Sequence, residues 1–148
     1  MNRNAGASEE RSLFMASMID TLNNGDPAVA IVGATDNPRK FGSRIYRDLK
    51  SKGFRVYPVN PMRETVDGDR AYPGLGDLPE TPDIVNFVVP PSRTLRILGE
   101  AVELGGYKQV WIQPGAGDAA VVRYLDEHGF DYLIDDCIMV RTVPRRSN

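Results

Sequence analysis

Residues 29–42, VAIVGATDNPRKFG, decide how this chain folds. The apolar run Ala28 to Val32 reads as a short buried strand, and it stops at the small residues Gly33, Ala34 and Thr35. A polar loop through Asp36, Asn37, Pro38, Arg39 and Lys40 follows, and a helical pattern begins near Gly42. Ile45, Tyr46 and Leu49 fall on one face of that helix, which is expected to run to Lys52 with Gly53 as its stop. Strand, small-residue turn and helix together make a βα unit.

The same alternation continues along the chain. Arg55 to Val59 (RVYPV) reads as a second strand, and Pro58 predicts that one side of its ladder is interrupted or lies at the sheet rim. Asn60-Pro61 turns the chain out, and residues 62–82 have room only for a brief helical turn or a small strand. Ile84 to Val89 (IVNFVV) is expected as a buried strand closed by Pro90-Pro91. A helix follows from Ser92, its predicted cap, to about Leu104, with Leu95, Leu98, Ala101 and Val102 as the buried stripe. Then come a strand at Gln109 to Ile112, a helix at Asp118 to His128 and a strand at Tyr132 to Ile134.

Ahead of the first strand, residues 8–22 read as a helix capped by Ser8, with Phe14, Met18 and Leu22 on one face. Residues 141–148 read as a flexible basic tail. Strands separated by helices imply a parallel sheet covered on both faces, with right-handed crossovers. The expected fold is therefore a Rossmann-like three-layer α/β/α sandwich with a five-stranded parallel sheet, formed as a single domain over residues 1–148.

Composition narrows the function classes. A formal charge of -2 offers a nucleic-acid backbone no general attraction. The single cysteine rules out an internal disulfide, no apolar run is long enough to span a membrane, and the first residues lack the basic-then-apolar order of a secretory signal. A cytoplasmic protein without nucleic-acid or membrane partners is expected, with binding of a protein partner or of a second copy left open.

In an open α/β sheet, ligands gather beyond the carboxyl ends of the strands. Gly33 permits close backbone approach there, Ala34 keeps bulk low and Thr35 offers a hydroxyl. The helix that follows contributes free amides and the positive end of its dipole, while Arg39 and Lys40 add cationic side chains. These residues point to a phosphate-bearing ligand. A dinucleotide fold for NAD carries Gly-x-Gly-x-x-Gly and an acidic residue about 20 positions on. This chain has neither, since its second strand ends in Val59-Asn60-Pro61, so NAD is disfavoured while NADP stays open.

At this point the residues resemble a known family. The segments GATDNPRKFGSRIYRDLKSKGFRVYPVNP, YPGLGDLPETPDIVNFVVPP, VWIQPGA and IDDCIMV are similar, in that order, to small bacterial and archaeal coenzyme A-binding domain proteins and to the amino-terminal domain of the succinyl-CoA synthetase alpha subunit. The resemblance implies that Gly33, Ala34 and Thr35 meet the CoA pyrophosphate region, with Lys40 and Phe41 continuing the loop. It implies Asn60 and Pro61 beside the adenosine, Val89, Pro90 and Pro91 along the groove, and Trp111, Gln113, Pro114 and Gly115 toward the pantetheine arm. Many relatives have Asp-Arg-Cys where this chain has Asp135-Asp136-Cys137, which replaces a positive charge by a negative one.

Catalytic and metal-ligating residues are not evident in the sequence. His128, the sole histidine, precedes a glycine at a helix end and reads as a solvated or capping residue. One histidine and one cysteine do not suffice for a zinc cluster. Cys137 reads either as a small buried side chain or as a thiol able to exchange with the CoA sulfur, although Asp135 and Asp136 oppose its ionisation. The leading expectation is non-catalytic binding of coenzyme A or an acyl-CoA. The alternatives are a small NADP-dependent oxidoreductase and a CoA-binding subunit of a larger acyl-CoA enzyme.

Overall fold

The computed structural model describes residues 3–145. In chain order the elements are α1 (Arg3–Asn24), β1 (Ala28–Val32), α2 (Phe41–Ser51), β2 (Arg55–Val59), β3 (Thr65–Val66) and β4 (Asp69–Arg70). A 3-10 turn at Leu75–Asp77 leads to β5 (Ile84–Phe87), α3 (Pro91–Leu104), β6 (Gln109–Ile112), α4 (Ala119–Glu127), β7 (Asp131–Ile134) and α5 (Ile138–Arg141). The five longer strands form one parallel sheet in the order β2-β1-β5-β6-β7. This is the expected α/β class with helices on both faces of the sheet.

The two-residue period of the strands divides the core. Val29 and Ile31 face Met18 and Leu22 of α1, Ile45, Tyr46 and Leu49 of α2, and Ile138 of α5. Ala30 and Val32 face the opposite layer, with Leu98 and Ala101 of α3 and Val121 and Leu125 of α4. β1 is buried along its whole length because it has a strand on either side and helices above and below. It is also the point of reversal: the chain passes from β1 to β2 on one flank, then returns to β5 on the other. A crevice opens where the strand order reverses.

Pro58 lies on β2, the edge strand, as its missing donor requires. The irregular segment forms the small antiparallel pair β3–β4, turned by Asp67 and Gly68, both at positive φ (52° and 79°). Lys50 Nζ holds this hairpin to α2 by reaching Asp67 and Asp69 at 3.1 and 2.8 Å. Tyr46 donates to the Asp69 carboxylate at 2.5 Å.

Several expected boundaries differ. The third long strand ends at Phe87, and α3 starts at Pro91 with Pro90 as its N-cap, so Ser92 is inside the helix and is not the cap. Proline suits the first helical position because it has no amide to leave unsatisfied. Thr94 is fully buried on α3, whereas Leu95 is half-buried and Val102 is 39% exposed, which moves the buried stripe by one position. α1 begins at Arg3, which places Ser8 within the helix and away from its cap.

The expected flexible tail is packed as far as it is described. Residues 138–141 form α5, Arg141 pairs with Asp136 at 3.0 Å, and the amide of Arg145 donates to Lys52 O at 2.7 Å. The Arg145 guanidinium lies over the Phe54 ring at 5.5 Å. The remainder of the tail, residues 146–148, lies outside the described residues.

Candidate functional site

A cleft of about 830 Å3 lies at the carboxyl ends of β1, β2 and β5. Its floor is backbone packed on backbone. A Cβ at Gly42 would lie 2.0 Å from Gly33 O, and one at Gly33 would lie 2.7 Å from Val88 O. Gly33 also has φ +102°, a conformation that side chains disfavour. Two glycines therefore let α2 begin directly against the end of β1. The first amides of α2, at Phe41 and Gly42, have no acceptor one turn back, and the Lys40 side chain makes no capping bond.

The connecting loop is closed by its own short side chains. Thr35 Oγ1 accepts from the Asn37 amide at 3.2 Å, and Asn37 Oδ1 accepts from the Arg39 amide at 3.1 Å. Asn60 ties this loop to the turn after β2: its Nδ2 donates to Ala34 O at 2.9 Å and its Oδ1 accepts from the Met62 amide at 2.9 Å. The side chain of Asn60 thus has a positioning role at the crevice, holding two turns in register.

Of the residues singled out from the sequence, Gly33, Thr35, Arg39, Lys40, Phe41, Asn60, Pro61, Val89, Pro90, Pro91, Pro114 and Gly115 line the cleft. Ala34 is buried under the turn among the α1 and α2 side chains. Trp111 and Gln113 are also buried and are bonded away from the cleft. The Trp111 indole donates to Asp136 O at 2.7 Å, and Gln113 Oε1 accepts from the Ile138 amide at 2.9 Å. Cys137 caps α5 half-buried, and its Sγ accepts from Gln113 Nε2 at 3.5 Å.

Asp136, the departure from the family pattern, has Arg141 as its ion-pair partner. His128 caps α4, with Nδ1 at 2.9 Å from Tyr124 O and its ring stacked on that of Tyr124. Among the described residues, no group of His, Cys, Asp or Glu is arranged to hold a metal ion. No helix among them is long and apolar enough to cross a membrane.

Sequence reasoning missed part of the lining. Arg93, Arg96, Ile97 and Glu100 of α3 form one wall, and Met62, Pro73 and Gly74 also line the cleft. The available signal was helical spacing: positions 93, 96, 97 and 100 share the face that flanks the buried stripe of a helix starting beside the crevice. Arg39, Lys40, Arg93 and Arg96 have no ion-pair partner among the described residues, and Glu100 is the only acidic residue in the lining. The cleft is therefore net positive in an overall acidic chain.

Fold and cleft together define an α/β nucleotide-binding domain with a positively lined crevice at its topological switch point. The chain belongs to the CoA binding domain family, which it matches over residues 27–142. It is 35% identical over 91 residues to the alpha subunit of acetate–CoA ligase (ADP-forming) II of Pyrococcus furiosus. That match covers 61% of this chain but 20% of the subunit, so the chain spans about a fifth of this relative.

A solved structure of a conserved hypothetical protein from Pyrococcus furiosus superposes with a TM-score of 0.74 at 44% identity, covering 78% of this chain and 98% of that one. The dinucleotide forming acetyl-coenzyme A synthetase 1 of Ca. Korarchaeum cryptofilum, solved in complex with phosphate and ADP, gives 0.69 at 27% identity over 85% of this chain and 30% of its own. These findings broaden the resemblance drawn from the sequence. The chain is a small CoA-binding domain related to the ADP-forming acyl-CoA synthetases and succinyl-CoA synthetase, without a specific tie to the succinyl-CoA synthetase alpha subunit. Its cofactor is coenzyme A or an acyl-CoA thioester.

Proposed function

We propose that this protein holds coenzyme A or an acyl-CoA without transforming it, seating the pyrophosphate on the turn between β1 and α2. The observation that carries this reading is the contact between Gly33 and Gly42, which aims the free amides of α2 into a cleft whose cations are unpaired. Amides and helix dipole favour a polyanion at that point. Thr35, with its oxygen already accepting from Asn37, still has its hydroxyl proton to donate. Arg39 and Lys40 supply charge beside it. The adenosine half extends past Asn60, Pro61 and Met62, and the less polar pantetheine arm runs along Val89, Pro90 and Pro91 toward Pro114 and Gly115.

Such a module carries or presents its ligand. The match to one part of the acetate–CoA ligase subunit supports a role alongside catalytic domains. Cys137 takes no part in this reading, because its thiol is engaged with Gln113 outside the cleft lining.

The test is calorimetric titration of the protein with CoA, acetyl-CoA, dephospho-CoA and NADP. CoA and acetyl-CoA are expected to bind, and NADP is not; tight NADP binding without CoA binding would overturn the CoA reading. Lys40→Ala is expected to weaken CoA and dephospho-CoA alike, by about tenfold, the effect of losing one charge-assisted phosphate contact. Unchanged affinity in that variant would displace the pyrophosphate from the turn.

A further inference from the structure

We infer that Arg93 and Arg96 of α3 form a second anion seat in the same cleft, one that selects ligands bearing a phosphate on the adenosine ribose. The inference rests on the CoA reading above and assigns the half of the ligand that the turn between β1 and α2 leaves unassigned.

The arginines of this chain are mostly committed elsewhere. Arg47, Arg55, Arg63, Arg141 and Arg145 are ion-paired to acidic side chains, and Arg44 and Arg70 lie over the rings of Phe41 and Tyr72. Among the residues whose side chains are described, Arg39, Arg93 and Arg96 have no such partner and line the cleft, while Arg123, also without one, stands on α4 outside it. Arg96 stands four residues before Glu100 on the same helix, a spacing at which ion pairs form readily, yet the two are not paired. Both charges are left to face the cavity.

Position decides which anion they meet. Gly74 adjoins α3, with the Glu100 carboxylate 3.7 Å from where its Cβ would be. Glu100 of α3 therefore borders Gly74, on the β2 side of the cleft that also holds Asn60, Pro61 and Met62, and Arg96 and Arg93 stand about one and two turns before it on the same helix. The pantetheine exit lies on the other side, past β5, at Pro114 to Ala116. A ligand with its pyrophosphate on the first turn and its adenosine on the β2 side brings its ribose phosphate toward Arg93 and Arg96. Guanidinium groups suit that oxyanion through paired N–H donors. Glu100, one turn further along, repels a phosphate and so bounds the seat.

The experiment compares wild type with the double variant Arg93→Gln/Arg96→Gln, titrated with CoA, dephospho-CoA and succinyl-CoA. Both side chains are exposed, so folding should be unaffected; far-UV circular dichroism and the urea midpoint check this. Wild type is expected to prefer CoA to dephospho-CoA by about tenfold or more. The double variant should lose that preference while dephospho-CoA affinity stays within about twofold, and Arg96→Lys should keep part of it.

Equal loss for CoA and dephospho-CoA, or no wild-type preference between them, overturns the second seat while leaving CoA binding intact. A loss seen only with succinyl-CoA assigns these arginines to a carboxylated acyl group and overturns it as well. Failure of wild type to bind any form of CoA removes the underlying reading, and this one with it.

Discussion

After β1 the chain leaves the sheet on Gly33 and Ala34, and after β5 on Val88, Val89 and the Pro90-Pro91 pair; Thr35, Asn37 and Asn60 bind backbone there, but the first amides of α2 and the cations of the cleft stay free. After β6 and β7 the chain leaves on residues that bind the protein's own backbone. There, Trp111 donates to Asp136 O, Gln113 holds the Ile138 amide, and the Asp135 amide donates to Ile112 O at 3.1 Å. Both exits are carboxyl ends of parallel strands, so topology alone would make either one a ligand site. The difference lies in what satisfies the loop. The half closed by α5 has its donors and acceptors matched internally, whereas the half beside α2 and α3 keeps amides and cations unmatched.

The largest test of this contrast is Gly42→Ala. Its new methyl would sit 2.0 Å from a backbone oxygen that cannot swing aside, so the start of α2 must move. A stability loss of more than about 3 kcal/mol is expected from urea unfolding, with CoA binding lost as well. Gly115→Ala is the control: it lies in the same cleft at φ +87° but has nothing within 4 Å, so only backbone strain of about 1 kcal/mol arises. Equal effects at the two positions would mean that backbone contact does not build the site.

A smaller effect is expected at the closed exit. Gln113→Ala leaves the buried Ile138 amide without its acceptor, costing about 1–3 kcal/mol. CoA affinity should stay within about twofold in calorimetric titration, because that side chain does not line the cleft. A parallel fall in affinity would show that the two exits are coupled.

The contrast also explains what the sequence made legible. Strands Arg55–Val59 and Gln109–Ile112 stand at their expected boundaries because β-branched runs end at strong turn signals. The turn after β1 could be read for the same reason: glycine, alanine and a basic loop are local features. α5 could not be read, since Ile138-Met-Val-Arg is apolar enough for a strand and becomes helical where Gln113 and Trp111, distant in sequence, hold its start. Arg93 and Arg96 were hidden for a related reason. A helical arginine looks solvated until packing decides which face meets the cleft.

The smallest expected effect concerns the hairpin that flanks the open exit, which is held largely by charge. Asp69 is held below the usual carboxylate range, first by the hydrogen bond from Lys50 and then by that from Tyr46. Burial, and next the bond to Asp69, push the Tyr46 phenol far up, so it remains a donor throughout. A carboxylate with a depressed folded-state pKa stabilises above its unfolded value, about 3.9, and loses that contribution as pH falls through the folded value. With Asp69 43% exposed, solvent screening limits the contribution to under about 1 kcal/mol. Asp69→Asn should therefore lower the urea midpoint slightly at pH 7, and the gap from wild type should narrow below about pH 4. A gap that persists undiminished in acid would show that packing of Val66 and Ala71 against the core, rather than the ion pair, holds this hairpin.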